Sequence, residues 1–267
     1  MADAPAWLAQ LLGWKPATQK SVDRCTALFR EPIAPNIADL SSTISLQLAA
    51  HAYETLDISR STDAPTEEAS GTALERQIES DLRSSLREKD PERSWSVTRR
   101  GTAARYAQYT HLTQLQTLLE QTPVLRATFA GDYLVKTDVY VGVENAATPD
   151  HLPFLHAAIS SKWTIRSDRV QNVRHEFATL VRNRRGRCPH LVLVTAEPLP
   201  TRVLAIARGT GEIDAVYHLL YDEIDLAVSV LCQPLGPYEE QRAAWTEMAK
   251  QQRIKPYSEL VNDLILS

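Results

Sequence analysis

The chain has 267 residues, 43% of them hydrophobic, enough to bury one large core. Its 29 Lys and Arg against 33 Asp and Glu give a formal net charge of −4. That balance excludes a protein that coats nucleic acid through overall charge, but not one that gathers cations on one face. Cys25, Cys188 and Cys232 are far apart, odd in number and without a C-x-x-C pair, so neither a disulfide framework nor a zinc site is expected, only buried free thiols. The opening MADAPAWLAQLLGWK is acidic before a short apolar run, which fits neither a signal peptide nor a spanning helix. A cytoplasmic protein without a membrane partner is expected.

In chain order, residues 6 to about 22 read as a short amphipathic helix, and IADLSSTISLQLAAHAYETL (37–56) as a Ser/Thr-led turn entering a longer one. DISRSTDAPTEEASG (57–71) reads as a polar loop, followed by the helix TALERQIESDLRSSLREK. A loop around DPERSWS then leads into GTAARYAQYTHLTQLQTLLEQ, which has helical spacing. After Gly131 the pattern changes. YLVKTDVYVGV, FLHAAISSKW and PHLVLVTAEP read as strands, alternating or continuously apolar. Between the second and third, Val170, Val173, Phe177 and Leu180 form a stripe on a helix that Gly186 stops. TRVLAIARG reads as helix, EIDAVYHLLY as strand and DEIDLAVSVLC as helix. The fold class is therefore α/β: a helical N-terminal region of about 1–130, then a mixed sheet core of about 131–232 flanked by helices, all in one domain.

Alternation puts Ser160 and Lys162 on one face of their strand. Glu176 borders the apolar stripe of the next helix, and Asp138 lies on the preceding strand-like segment, so the three can converge at one end of a sheet. Carboxylates beside a lysine suit metal-assisted phosphodiester hydrolysis: Mg²⁺ takes oxygen ligands, and an ammonium orients or activates a water. Just beyond Lys162 comes Arg166-Ser167-Asp168-Arg169. Arginines donate bidentately to guanine O6 and N7, and aspartate accepts from cytosine N4, so the run suits two adjacent G·C pairs. Ser167 is a candidate cap for a helix start that enters a groove. Solvated surface charges and salt bridging within a first turn remain open as readings of the same residues. VRNRRGR (181–187) could meet phosphates or offset the helix dipole. GTGEID lacks a phosphate-loop lysine and reads as a turn, and His111, His156 and His190 stand singly as packing or surface residues. Trp163 reads as a packed aromatic.

Residues 155–218, LHAAISSKWTIRSDRVQNVRHEFATLVRNRRGRCPHLVLVTAEPLPTRVLAIARGTGEIDAVYH, closely resemble the NgoMIV-like restriction endonucleases, the CCGG-reading branch of the PD-(D/E)xK nucleases. Weaker similarity extends back through ARYAQYTHLTQL, GDYLVKTDVYV and SGTALE. The resemblance implies a restriction-endonuclease-like fold and a Mg²⁺ cofactor. It also implies a metal set of Asp138, Glu176, Glu75 and the Ser161 carbonyl, with Ser160 and Lys162 completing the catalytic group. The P-D motif departs from the family in having Thr137 before Asp138, and serine stands where the superfamily has its middle acid, with Glu176 supplying that carboxylate. Arg166, Asp168 and Arg169 match the residues that read CCGG. Arg202 and Ser41 match those that read the outer G·C pair, whereas Glu68 replaces a glutamine. The segment 143–153 is shorter than in the family, and similarity fades after about Gln233.

The resemblance thus implies a type II enzyme cutting double-stranded DNA at a palindrome with a CCGG core, GCCGGC, after the first base. It would act as a dimer at least, and as a tetramer on two DNA copies, alongside a cognate DNA methyltransferase. The alternatives are a repair nuclease and a sequence-specific DNA-binding protein on the same fold.

Overall fold

In a computed structural model of the chain, the described residues are 4–62, 71–122, 124, 136–144, 152–208 and 211–267, with the side chains of 167–169 excepted. At the centre is a six-stranded mixed sheet of β3 (Trp95–Thr98), β4 (Val139–Val143), β5 (Phe154–Lys162), β6 (His190–Thr195), β7 (Ala215–His218) and β8 (Ile254–Pro256), in that spatial order. β3, β4 and β5 pair antiparallel, and β5 through β8 parallel. A strand in the parallel half of a sheet is covered on both faces, and β5 is buried from Leu155 to Ser161, as its near-continuous apolar run requires.

The helices are α1 (Val22–Phe29), α2 (Thr43–Thr55), α3 (Gly71–Lys89), α4 (Thr110–Gln121), α5 (Ser167–Asn183), α6 (Pro200–Ala207), α7 (Tyr221–Leu231), α8 (Glu239–Lys250) and α9 (Leu260–Leu266). The predicted stripe on α5 is buried: Val170, Val173, Phe177 and Leu180 face the core. On α3 the buried set is Ala73, Leu74, Ile78, Leu82 and Leu86, a helical period that packs against β3 and β5. Ser42 caps α2 by accepting from the Ser45 amide at 3.3 Å. At α5 the cap position is Arg166, not Ser167, and no side chain caps it.

Several sequence expectations are corrected. Residues 6–22 form a 3-10 turn (Leu8–Gln10) and then β1 (Trp14–Pro16), which pairs antiparallel with β2 (Ile33–Pro35). Pro16 disfavours helix at Lys15, and Asn36 pins the ribbon: its side chain donates to the Leu11 carbonyl at 2.9 Å and its amide to the Gly13 carbonyl at 2.9 Å. The loop read at DPERSWS runs directly into β3, whose Trp95 and Val97 are buried while Ser96 and Thr98 are half-buried. GTAARYAQY is not one helix but two 3-10 turns before α4. Cys25 and Cys232 are buried as expected, but Cys188 is exposed. Beyond residue 232, α8 leads to β8, the edge strand of the sheet, and α9 packs on α3.

Gly142 sits at a register shift between β4 and β5. A Cβ there would lie 2.6 Å from Ser96 Oγ and 2.8 Å from a Tyr106 ring carbon. Gly142→Ala is expected to lower the stability by about 1–3 kcal/mol, the usual cost of overpacking, read as a lower urea midpoint at unchanged slope.

Candidate active site

The site forms where β4 begins and β5 ends. Val139 pairs with Ile159, so Asp138 falls beside Ser160. Its Oδ2 accepts from the Ser161 amide at 2.7 Å, from Lys162 Nζ at 2.6 Å and from Ser160 Oγ at 3.3 Å. Thr137 fixes the approach to β4 in a way proline could not: its amide donates to Tyr140 Oη at 3.0 Å, and its hydroxyl to the Ile159 carbonyl at 2.9 Å. Burial, reinforced by Glu176 and Asp138, pushes the Tyr140 phenol up to about 12, so it stays a neutral donor or acceptor.

Two helices add carboxylates. Burial, and then the charge of Asp138, raises the Glu176 carboxyl on α5 to about 7, against an opposing pull from Thr137 and Lys162. Its Oε1 is buried without a hydrogen-bond partner. On α3, burial and Asp138 raise Glu75, while Arg99 and Lys162 lower it; Arg99 Nη1 lies 3.3 Å from Glu75 Oε2. The structure thus brings Asp138, Ser160, Lys162, Glu176 and Glu75 into one electrostatic cluster. Among the described residues, no group of three His, Cys, Asp or Glu side chains is closed to metal-cage spacing. The donor set nevertheless fits a hard divalent cation: the Asp138 charge raises the proton affinity of both Glu176 and Glu75, and one Glu176 carboxylate oxygen is buried and unpartnered. Ser161 is buried on the same strand end, next to Lys162.

Glu176 carries a stability consequence. Its carboxyl ordinarily ionises near 4.5 but holds its proton to about 7 in the fold. The unfolded chain therefore loses this proton first, and the native state loses stability as pH rises from 4.5 to 7. In metal-free buffer, Glu176→Gln is expected to be more stable than the parent at pH 8 by on the order of 1–3 kcal/mol, with the gap closing below pH 4.5. Urea midpoints across that range test this, and a gap that does not change with pH would contradict it.

Two cavities adjoin the cluster and share Arg166. One, of about 400 Å³, is lined by Lys15, Gly71, Glu75, Ser161, Lys162 and Arg166. Trp163, buried as expected, lines it too. The other, of about 580 Å³, is lined by Asp39, Ser41, Arg166, Gln171, Arg174 and Arg202. Arg166 is exposed between them, whereas the side chains of Ser167, Asp168 and Arg169 lie outside the described residues, as does Glu68.

Arg202 and Ser41, from opposite ends of the chain, meet on Asp39. Arg202 Nη2 pairs with Asp39 Oδ2, and the Ser41 hydroxyl and amide donate to Asp39 Oδ1 at 2.7 and 2.9 Å. Burial raises the Asp39 carboxyl, but the Ser41 bonds and Arg202 outweigh it and hold the group at about 2.

Lys15 and Asp39 were missed by the sequence reading. Asp39 had one local signal, its place two residues before Ser41, where an Asx turn forms. Lys15 had none. Burial, and then Arg166, holds its ammonium below the usual lysine range. The arginines of 181–187 are not all brought to the cluster: Arg187 lines a third cavity with Leu155 and His156, at the other end of β5 from Lys162. His156 is a packing residue whose Nε2 lies 2.7 Å from the Leu264 carbonyl oxygen. Among the described residues, no helix is long and apolar enough to cross a membrane.

A sheet-end lysine and carboxylate cluster beside an arginine-lined cavity has the chemistry that phosphodiester hydrolysis on DNA requires. The family model of the NgoMIV restriction enzyme matches residues 19–150 and 144–266. The type II restriction enzyme NgoMIV of Neisseria gonorrhoeae is 37% identical over 257 residues, covering 85% of this chain and 88% of that protein. The crystal structure of the pre-specific restriction endonuclease BsaWI bound to DNA covers 88% of this chain and 84% of its own at 14% identity and a TM-score of 0.33, too distant to argue from. The chain belongs to the NgoMIV restriction enzyme family. It is a type II restriction endonuclease, a site-specific deoxyribonuclease that binds DNA.

Proposed function

We propose that the enzyme cuts both strands of GCCGGC after the first base in a Mg²⁺-dependent reaction, leaving four-base 5′ overhangs. The observation that carries this reading is that Arg166 lines both the cavity of Lys162 and Glu75 and the cavity of Arg202 and Ser41. Base reading and hydrolysis are therefore one side chain apart. Asp138, Glu176, Glu75 and the Ser161 carbonyl would hold the cation. Bound there, Mg²⁺ supplies charge neutralisation at the phosphate and a more acidic water. Lys162, fixed by Asp138 at 2.6 Å, orients the attacking water, and Ser160 keeps the Asp138 carboxylate in register.

Arg166, Asp168 and Arg169 read the CCGG core. Arg202 offers guanine its guanidinium fork, and Asp39 beside it offers an acceptor suited to the paired cytosine amine, with Ser41 fixing that carboxylate. A palindrome requires a two-fold particle, so the enzyme acts as a dimer at least, and as a tetramer engaging two sites, with a cognate methyltransferase protecting host DNA. End-sequencing of plasmid fragments made in Mg²⁺ is expected to return one cut position within GCCGGC; scattered ends would overturn the reading.

Lys15 makes no ion pair with a described residue and faces the same cavity as Lys162, which suits a DNA phosphate. Lys15→Gln is expected to weaken binding alike on specific and non-specific duplexes and to flatten the log K against log salt slope by about one per copy. An unchanged slope would contradict the contact.

A further inference from the structure

Glu197 follows the end of β6, and its side chain is wholly buried. Its two oxygens serve two different segments. Oε2 accepts from the Ile165 amide at 2.6 Å, immediately before Arg166; Oε1 accepts from the Leu199 amide at 3.1 Å, the residue that precedes α6 and Arg202. Arg202 Nη1 lies 3.9 Å from Oε2. The backbone of Glu197 is held as firmly. Its amide donates to Thr195 Oγ1 at 3.1 Å, and its carbonyl accepts from His218 Nε2 at 3.0 Å. The Leu220 amide donates to His218 Nδ1 at 3.1 Å, which leaves the ring proton on Nε2.

A buried carboxylate is costly, and the chain would need none here merely to end a strand. Burial pushes this group up to about 7, with the two amides and Arg202 opposing.

We propose that Glu197 is a positioning residue for base readout: one carboxylate ties the Arg166 turn to the start of the Arg202 helix, fixing the distance between core and outer readers. This rests on the proposed GCCGGC specificity. β5 and β6 stop pairing at Lys162 and Thr195, and further along Arg174 on α5 donates to the Ala205 carbonyl of α6 at 2.8 Å; between these two links, Glu197 joins the segments at the residues next to Arg166 and at the start of α6, and so sets the spacing of the two arginines. An amide in place of the carboxylate can accept from only one of the two N–H groups and turns a donor toward the other.

The test compares kcat/KM on GCCGGC with that on duplexes altered in the outer pair and, separately, in one core pair, for the wild type, Glu197→Gln and the milder Thr195→Val. Glu197→Gln is expected to lose about tenfold in discrimination at both positions, within the range that one bidentate contact supplies. Thr195→Val, which removes only the acceptor for the Glu197 amide, is expected to shift both ratios the same way by less. Equal losses on all duplexes in either variant would mark a purely structural role and overturn the brace. Unchanged ratios in a folded Glu197→Gln would do the same. A wild type indifferent to the outer pair would instead overturn the GCCGGC assignment, and the brace with it.

Discussion

Lys162→Ala is expected to abolish cleavage, by about 10²-fold to 10⁴-fold or more, while leaving affinity for the cognate duplex within several-fold of the parent. The ammonium is the one cation in hydrogen-bond contact with Asp138, at 2.6 Å, among the described residues. It is also close enough to Glu75 and Glu176 to lower the proton affinity of both. Its removal takes away the group proposed to orient water and leaves Asp138, Glu176 and Glu75 without that cation. In the proposed binding mode the duplex is held by the arginine cavity, which Lys162→Ala leaves untouched, so a gel shift without metal separates the two effects. Asp138→Ala should behave likewise. Full cleavage by either variant would remove the basis for the site.

Arg166→Ala carries the second large effect. Each bidentate guanine contact supplies about 1–3 kcal/mol of discrimination, and a two-fold particle loses two of them, so specific affinity should fall by roughly 30-fold to 10⁴-fold. Non-specific binding, which follows phosphate contacts, should change little. Arg166→Lys is not expected to restore specificity, because an ammonium lacks the planar fork. Competition binding with cognate and scrambled duplexes decides this, and equal losses on both would reassign Arg166 to the phosphate backbone.

What was legible in the sequence follows from which interactions are local. α2, α3 and α5 announce themselves by period and by caps or stops, and the α5 stripe is buried residue for residue. The convergence of Asp138 with Lys162 was legible because two neighbouring strands and the two-residue alternation of β5 fix it. β3 was missed because four residues, two of them buried, carry too little alternation to stand out beside a turn. The β1–β2 ribbon was misread because Leu8, Leu11 and Leu12 imitate a helix, while the constraints that forbid it, Pro16 and the bonds to Asn36, act at or across a distance. Asp39 and Glu197 escaped notice for the same reason. Asp39 matters through Arg202, far along the chain, and Glu197 through the amides of Ile165 and Leu199, and neither relation leaves a periodic trace.

The most direct test is a crystal structure of the Lys162→Ala variant with a GCCGGC duplex and Ca²⁺. The expected result has one cleft holding the duplex, the scissile phosphate beside Asp138 and Glu176, the Arg166 fork on a core guanine and Arg202 on the outer one. A duplex bound on another face, or with Arg166 turned away from the major groove, would contradict the account.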